Sequence, residues 1–396
     1  MSTESPITAA TGFVRNPSRE VTIRAGRAIC DHDREVPEVD LFTPMTIRGL
    51  IFRNRIAMSP MCMYSADDGF ANDFHLVHLG SRAVGGVGLV VVEATAVAAD
   101  GRISPRDVGI WKDEHIEPLA RIARFLEAQG AAPGIQLAHA GRKASCDVPW
   151  KGGASLKTAA EGGWPVVGPS PIPFTEEDPI PIPLDEAGIE HYMQAWEAAA
   201  QRALTAGFKV IEIHAAHGYL LHQFLSPTSN RRTDQYGGSL ENRMRFLLRV
   251  AERLRTIIPE QLPLFVRMSA TDWVEGGWDI EQSVVLCKRL KELGVDLIDV
   301  SSGGTVHDAK VPVAKGYQVH FAQRIREEVG IRTGAVGMIS DPQYADDIIT
   351  SGQANLVFLA RELLREPYWV IKAQHALEEE PVWPTQYGYV VKRRAK

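Results

Sequence analysis

Short apolar runs alternate with longer amphipathic segments along most of this chain. The short runs are rich in Val, Ile and Leu and end in polar or glycine residues, which is typical of buried strands in a parallel sheet. Eight of them predict strands, at residues 55–60, 88–94, 134–139, 210–214, 264–269, 296–301, 332–336 and 355–361. A segment with helical periodicity follows each strand. Residues 113–129 show this most clearly, with Ile116, Leu119 and Ala123 on one face and Gly130 placed to end the helix.

Eight consecutive β–α units predict an α/β fold, the (β/α)8 or TIM barrel. The alternative is a doubly wound sheet, which would favour a Gly-x-Gly-x-x-Gly turn after an early strand, and the sequence has no such turn. The nearest match, the Gly-Gly-Val-Gly of residues 85–88, precedes its strand and is better interpreted as a helix C-cap and turn.

Three stretches lie outside the repeat. Residues 1–38 mix arginines with acids and small polar residues. This composition predicts an N-terminal extension that lies on the surface of the domain or stays mobile. A cleaved transit peptide is the less favoured alternative. Residues 46–54 predict a hairpin that turns at Arg48 and Gly49 and plugs the bottom of the barrel. Residues 143–185, rich in Gly and Pro, are too long for an ordinary βα loop and predict a lid over the active face.

Composition narrows the class of protein. With 396 residues, 45% of them hydrophobic, the chain can bury a large core, so residues 39–396 are expected to form one barrel domain rather than two small domains. The net charge of -6 gives no basic surface for nucleic acid, and no apolar run approaches the length of a membrane helix. A soluble, cytoplasmic protein is expected. Four scattered cysteines without Cys-x-x-Cys pairs argue against disulfides, structural zinc or an iron–sulfur cluster, and no metal site is predicted.

The candidate chemistry lies where the predicted strands end, because the carboxyl ends of barrel strands share one face. The most informative segment is 214–219, where His214, His217 and Tyr219 follow an apolar strand directly. Two neutral imidazoles can hold a carbonyl or nitro oxygen while a phenol supplies a proton. Alternatively, the two histidines are ordinary core or loop residues.

Several motifs carry a family resemblance, at residues 59–62 (Ser-Pro-Met-Cys), 136–143, 214–219, 226–239 and 361–364. In barrel order they are similar to the Old Yellow Enzyme family, and the cysteine and the His-x-x-His spacing place the chain with its thermophilic-like branch. The resemblance extends from about residue 41 to the C-terminus. It implies an enzyme that binds FMN noncovalently, accepts electrons from NADPH or NADH, and reduces alkenes activated by a carbonyl or nitro group.

The resemblance also implies a flavin site. Arg267 would stabilise negative charge beside the flavin pyrimidine, and Gln136 would meet its imide edge. Glycines 303, 304, 334 and 337 would let the backbone approach the phosphate, with Arg361 closing the site. The cofactor-contacting set implied by the family is Ser59, Pro60, Met61, Cys62, Ala94, Gln136, His214, Arg267, Ser302, Gly303, Gly304, Gly337, Ala360 and Arg361.

On the substrate side, the resemblance gives roles to side chains of the same face. His214 and His217 would bind the carbonyl oxygen, and Tyr219 would protonate the α-carbon after hydride transfer from flavin N5. Tyr64, Cys62 and Lys143 would line the substrate pocket, with the cysteine touching substrate rather than attacking it.

Other interpretations remain open. Cys62 could be a small buried hydrophobe, and Arg267 could simply pair with Glu212. A different flavin dehydrogenase on the same fold, or a catalytically silent barrel that binds flavin or another ligand, would fit the same pattern.

Two positions depart from the family pattern. Ala360 replaces a common glycine, which matters only if the backbone there needs positive φ. Tyr389 stands where relatives have an arginine that enters a neighbouring subunit's site. A homodimer or homotetramer is therefore expected.

Overall fold

Eight parallel strands close into a barrel surrounded by helices in the computed structural model, which describes residues 39–391. The strands are β1 Met45–Ile47, β2 Leu50–Phe52, β3 Ile56–Met58, β4 Leu89–Ala96, β5 Ala132–Ala138, β6 Val167–Gly168, β7 Ile182–Pro183, β8 Val210–Ala215, β9 Leu264–Ser269, β10 Leu297–Ser301, β11 Arg332–Ala335 and β12 Leu356–Leu359. The barrel order is β3-β4-β5-β8-β9-β10-β11-β12, closed from β12 back to β3. The predicted TIM barrel and all eight predicted strands are confirmed.

Helices follow each barrel strand and cover its outer face. They are α1 Asp73–Val84, α2 Ile116–Ala128, α3 Glu186–Thr205, α4 Leu220–Leu225, α5 Leu240–Ile257, α6 Ile280–Glu292, α7 Val319–Val329, α8 Pro342–Thr350, α9 Arg361–Arg365, α10 Trp369–Ala376 and α11 Thr385–Val391. Because helices shield one face and the barrel interior the other, β4, β5, β8, β9, β10 and β12 are buried along their whole length.

Local sequence signals place the helix ends. The side chain of Asn72 accepts the Phe74 N–H and opens α1. The helix predicted at residues 113–129 is observed as a short 3-10 turn leading into α2, and Gly130 follows it with φ +77°. Residues 85–88 form the end of α1 and the turn into β4, as the glycine pattern predicted.

The hairpin plug is confirmed at the bottom of the barrel. Strands β1 and β2 pair antiparallel, and Arg48 adopts φ +51° in the turn between them. Ile47 and Phe52 are fully buried and join a cluster inside the barrel. That cluster includes the first residues of several strands, Leu89, Ala132, Val210, Leu297 and Leu356. The hairpin therefore seals the end of the barrel opposite the candidate chemistry.

The long segment after β5 has irregular structure, with 3-10 turns at Pro149–Lys151 and Ala159–Glu161 and the two-residue pair β6 and β7. It lines a cavity together with Tyr64 and Tyr219, as expected for a segment over the active face. The extension predicted at residues 1–38 and its transit-peptide alternative lie outside the described residues. Within residues 39–391, no helix is long and apolar enough to cross a membrane.

Candidate active site

The carboxyl ends of β9 to β12 surround a cavity of about 240 Å³. Of the residues predicted to bind the cofactor, it is lined by Arg267, Gly337, Ala360 and Arg361. Gly337 has φ +125°, a backbone conformation that requires glycine, and a Cβ there would also lie 2.9 Å from Gln318 Nε2. Ala360 has φ −110°, which any residue adopts. The backbone at this position therefore does not need positive φ, the one condition under which replacing the family's glycine would matter.

Arg267 is the central cation of this cavity and is 6% exposed. Its Nε lies 3.1 Å from Asp299 Oδ2, but the approach is too oblique for a hydrogen bond. Glu212, the alternative partner considered from the sequence, instead accepts a 2.9 Å hydrogen bond from Gln136 Nε2. The closest carboxylate to Arg267 is thus Asp299, its direct neighbour in the parallel register of β9 and β10.

Burial disfavours the charged form of the two carboxylic acids beside Arg267. It raises the pKa of Glu212 to about 8, with Asp299 adding repulsion, and raises that of Asp299 to about 6, while Arg267 opposes both shifts. Glu212 Oε2, Arg267 Nε and both Asp299 carboxylate oxygens have no hydrogen-bond partner among the described residues. Of this cluster only Arg267 lines the cavity, so it is the group placed to meet a bound ligand, while the two carboxylates lie behind it.

The structure does not bring four other predicted residues to this cavity. A Cβ on Gly334 would lie 2.3 Å from the Phe358 ring, and a Cβ on Gly304 would lie 2.6 Å from the His217 backbone. Gly303 N–H donates to a backbone carbonyl 2.7 Å away, and Ser302 Oγ donates to Gln318 Oε1. Close packing within the protein explains the glycines at 304 and 334, and a φ of +70° explains Gly303; none of the three lines this cavity.

The histidine pair and Tyr219 occur together where β8 ends. The ring centroids of His214 and His217 are 5.3 Å apart, and those of His214 and Tyr219 are 5.0 Å apart. His217 Nε2 lies 2.7 Å from Ser301 Oγ, and Ser301 lines the first cavity. The sequence-predicted trio is thus assembled, with one imidazole adjoining the cavity that contains Arg267.

Electrostatics fix the protonation states of this trio. Burial, reinforced by Arg267, holds the pKa of both His214 and His217 well below the usual range, so both imidazoles are neutral. Burial likewise raises the pKa of Tyr219 well above its usual value. The site therefore presents neutral donors and a protonated phenol at physiological pH.

A second cavity, of about 340 Å³, opens on the other side of Tyr219 and includes Tyr64 and Lys143 in its wall. The Lys143 ammonium donates to His217 O at 2.9 Å and Gly304 O at 3.0 Å, and it lies 5.3 Å from the Tyr219 ring centroid. Burial lowers the pKa of Lys143 to about 8. Tyr64 adopts φ +48°, and burial raises the pKa of its hydroxyl.

The predicted residues at the end of β3 lie close to this region. Burial, with repulsion from Asp107 and Glu93, raises the pKa of Cys62 well above its usual value, so it is a thiol rather than a nucleophilic thiolate. Ser59 is fully buried with no partner for its hydroxyl among the described residues. Pro60 and Met61 are partly buried in the same stretch, and Ala94 shares a small cavity with Tyr219.

Sequence reasoning missed several polar residues of this face. Ser301 was noted only as a strand end, although it contacts His217. Gln318 reaches in from the start of α7 and bonds Ser302. His222 and Asp272, both fully buried, form a pair behind the His217–Tyr219 turn. Their spacing along the chain gave no signal, because they belong to a short helix and a loop.

Comparison with known proteins identifies a family and relatives for this chain. The model of the NADH:flavin oxidoreductase / NADH oxidase family matches residues 40–380. An NADPH dehydrogenase of Geobacillus sp. (strain WCH70) is 52% identical over 342 residues, covering 86% of this chain and 95% of the relative. An NADPH dehydrogenase of Bacillus subtilis (strain 168) is 48% identical over 349 residues, covering 88% and 98% respectively.

Solved structures agree with these relatives. Morphinone reductase superposes with a TM-score of 0.72 at 26% identity, covering 88% of this chain and 92% of that one. An Old Yellow Enzyme homologue from Zymomonas mobilis, with a TM-score of 0.69 at 24% identity, shares the fold. The comparisons support FMN and NAD(P)H as cofactors and an oxidoreductase activity. The chain belongs to the NADH:flavin oxidoreductase / NADH oxidase family, the family of the Old Yellow Enzymes.

Proposed function

We propose that this NAD(P)H-dependent flavoenzyme is an ene-reductase, which reduces carbon–carbon double bonds conjugated to a carbonyl or nitro group. The observation that carries the proposal is the cluster of two neutral imidazoles and a protonated phenol at the end of β8, with His217 hydrogen-bonded to Ser301 of the cavity that contains Arg267. A substrate that becomes an enolate or nitronate on accepting hydride needs hydrogen-bond donors for its oxygen and a proton donor for its carbon.

The two imidazoles suit an oxygen that gains negative charge. His214 Nδ1 accepts the Ala216 N–H at 3.4 Å, which leaves the ring proton on Nε2, available to a substrate oxygen. His217 is anchored through Nε2 to Ser301 Oγ at 2.7 Å. Because both rings are neutral, each has one ring N–H to donate to a substrate oxygen.

Tyr219 is proposed to protonate the α-carbon. Its raised pKa keeps the phenol protonated before the reaction, and its hydroxyl belongs to a partly exposed side chain that lines the second cavity. The Lys143 ammonium, 5.3 Å from the ring centroid, favours the phenolate that remains after the proton leaves. Tyr64 and Cys62 would complete the walls around the substrate, the cysteine as a neutral thiol.

Arg267, Gly337 and Arg361 line the cavity and are the residues best placed to hold FMN, while Gln136 lies outside its lining. Arg267 brings a buried cation to the cavity, and Gly337 leaves room for close backbone approach beside the exposed guanidinium of Arg361. When bound, FMN accepts hydride from NAD(P)H and delivers it to the alkene. The family-based contacts of Ser302, Gly303 and Gly304 have less support, since these residues do not line the cavity.

Assembly as a homodimer or homotetramer remains part of the proposal. Helix α11 exposes Tyr389 (71%) and Val390 (52%), an apolar surface at the position from which relatives reach a neighbouring subunit. Tyr389 would bring an aromatic face and a hydroxyl to that site instead of a fixed cation.

An anaerobic two-step experiment tests the function. NADPH should bleach the flavin, and 2-cyclohexenone should restore its colour. Tyr219→Phe should leave reduction by NADPH within about twofold but slow reoxidation by the enone by about 10²-fold or more, because only that step puts a proton on carbon. Nitroalkenes should be affected less, since a nitronate tolerates delayed protonation.

The controls separate this proposal from its rivals. Tyr344→Phe removes a hydroxyl that lies outside both cavities and should change neither step. His214→Ala should weaken phenol binding to the oxidised enzyme. A flavin that NADPH reduces but no activated alkene reoxidises would favour a different flavin dehydrogenase, and a protein that NADPH does not reduce would favour a silent barrel.

A further inference from the structure

The turn that carries Tyr219 has an unusual backbone. His217 and Gly218 both adopt left-handed conformations, with φ +60° and φ +75°, and the first of these is unfavourable for a residue with a side chain. Such a turn persists only where its surroundings hold it. The phenol of Tyr219 leaves the backbone one residue later, so a change in this turn would redirect it.

Two adjacent side chains of α4 form hydrogen bonds with the N–H and the carbonyl oxygen of Gly218. The Gly218 N–H donates to His222 Nδ1 at 2.9 Å, and Gly218 O accepts from Gln223 Nε2 at 2.7 Å. Both side chains are fully buried. Because Gly218 has no side chain, these two hydrogen bonds are the polar contacts that fix its orientation.

The carboxylate of Asp272 lies beside the imidazole of His222. His222 Nε2 is 3.1 Å from Asp272 Oδ1, an ion-pair distance without an aligned hydrogen bond, since Oδ1 has no hydrogen-bond partner among the described residues, and both side chains have 0% exposure. Since Nδ1 accepts the Gly218 N–H, the ring proton belongs on Nε2, on the side of the carboxylate. Asp272 Oδ2 accepts from Ser226 Oγ at 2.5 Å and from Trp278 N–H at 2.8 Å, so the carboxylate cannot rotate freely.

The loop after β10 closes the turn from the opposite side. A Cβ on Gly218 would lie 2.1 Å from Gly304 O, and Lys143 Nζ bridges Gly304 O and His217 O. Thr305 Oγ1 lies 2.9 Å from His222 Nδ1 and 3.1 Å from Nε2, within reach of either ring nitrogen. The turn is therefore held on both sides.

We propose that Asp272 and His222 are positioning residues for the proton donor. Asp272 fixes the tautomer of the His222 imidazole, and His222 fixes the orientation of the Gly218 N–H. Together they orient the Tyr219 phenol. The inference rests on the proposed role of Tyr219. It predicts that replacing His222 slows only the half-reaction that uses the phenol, and that the whole effect depends on Tyr219.

Stopped-flow measurements on the FMN-loaded enzyme test this. His222→Leu should slow reoxidation by 2-cyclohexenone by about 10–100-fold, as expected for a displaced catalytic group, while reduction by NADPH stays within about twofold. His222→Asn is the matched variant, because its side-chain oxygen can replace Nδ1 as acceptor, and it should recover most of the lost rate. Asp272→Asn keeps the size of the side chain but favours the wrong tautomer, and it should slow reoxidation by about tenfold.

A double-mutant cycle makes the test specific. In a Tyr219→Phe background, His222→Leu should add less than about a twofold effect, because residues that act through one group are not additive. Independent, multiplicative losses would overturn the proposal, as would equal losses in both half-reactions with no recovery in His222→Asn. If His222→Leu does not fold, Asp272→Asn and His222→Asn, each with and without Tyr219→Phe, give the same comparison.

The cycle also separates this proposal from the proposed function. If Tyr219→Phe slows enone reoxidation but neither His222→Leu nor Asp272→Asn does, the positioning role is wrong and the function stands. If Tyr219→Phe has no effect, the protonation role fails and the positioning role fails with it.

Discussion

Glu212→Gln should stabilise the protein, and increasingly so as the pH rises. Glu212 is fully buried beside Asp299, with Arg267 as the nearest cation, and one of its carboxylate oxygens has no hydrogen-bond partner among the residues described. The amide is nearly isosteric. It keeps an oxygen for Gln136 Nε2, which now donates to Glu212 Oε1 at 2.9 Å, and it replaces the unpartnered oxygen by a donor that can face Asp299.

The sign and size follow from the pKa of Glu212, which burial raises from 4.5 to about 8. Between these values the folded state binds more protons than the unfolded state, so the free energy of unfolding falls as the pH rises from about 4.5 to 8. At about 1.4 kcal/mol for each pH unit, the full cost above pH 8 would be up to about 5 kcal/mol. Because Glu212 and Asp299 titrate together, this figure belongs to the pair and is an upper bound for Glu212 alone.

Thermal unfolding at fixed excess FMN measures the effect. The melting temperature of Glu212→Gln minus that of the parent should be small at pH 5 and rise by several degrees at pH 9. The matched control is Glu114→Gln, which removes an exposed carboxylate and should shift the melting temperature equally at both pH values. A difference that is the same at pH 5 and pH 9, or that falls with pH, would refute the reasoning.

Three further predictions concern other parts of the molecule. Gly334→Ala should cost about 1–3 kcal/mol by pushing a methyl group into the Phe358 ring, while Gly388→Ala, with open space around the added atom, should cost little; chemical denaturation compares them. Cys62 should be alkylated by iodoacetamide slowly at pH 7.5 and faster as the pH rises, because its pKa is raised; rapid, pH-independent modification in peptide mass spectrometry would contradict this. Tyr389→Arg should shift kcat/KM toward anionic alkenes with light scattering unchanged, and unchanged kinetics would remove Tyr389 from any shared site.

The fold was predictable because its signals are local. Continuous apolar runs such as 210–214 specify buried parallel strands, and residues 46–54 carry their own turn. Strand ends then share a face by topology alone, which is why His214, His217 and Tyr219 could be placed together before any coordinates.

The remaining site residues depend on facts that a single sequence does not contain. A glycine after a strand permits either approach of a ligand or approach of another chain segment, and only the structure shows that Gly304 meets His217 while Gly337 faces the cavity. Strand alternation places Glu212 on the same face as His214 but does not give the register that brings Asp299 beside Arg267.

The segment after β5 is held partly by its own bonds and partly by neighbouring loops, as where Trp164 Nε1 donates to Asp100 O. Ser155 and Thr175 both donate to Asp178, and residues 146 and 155 form an isolated bridge, so the far wall of the second cavity is organised from within the segment. The reacting groups, in contrast, are held by the barrel, by α4 and by Lys143 at the very start of the segment. This arrangement makes the wall a replaceable module. Exchanging this wall between relatives, in evolution or by engineering, would change which substrates enter the second cavity. The groups that carry out the reaction would stay in place.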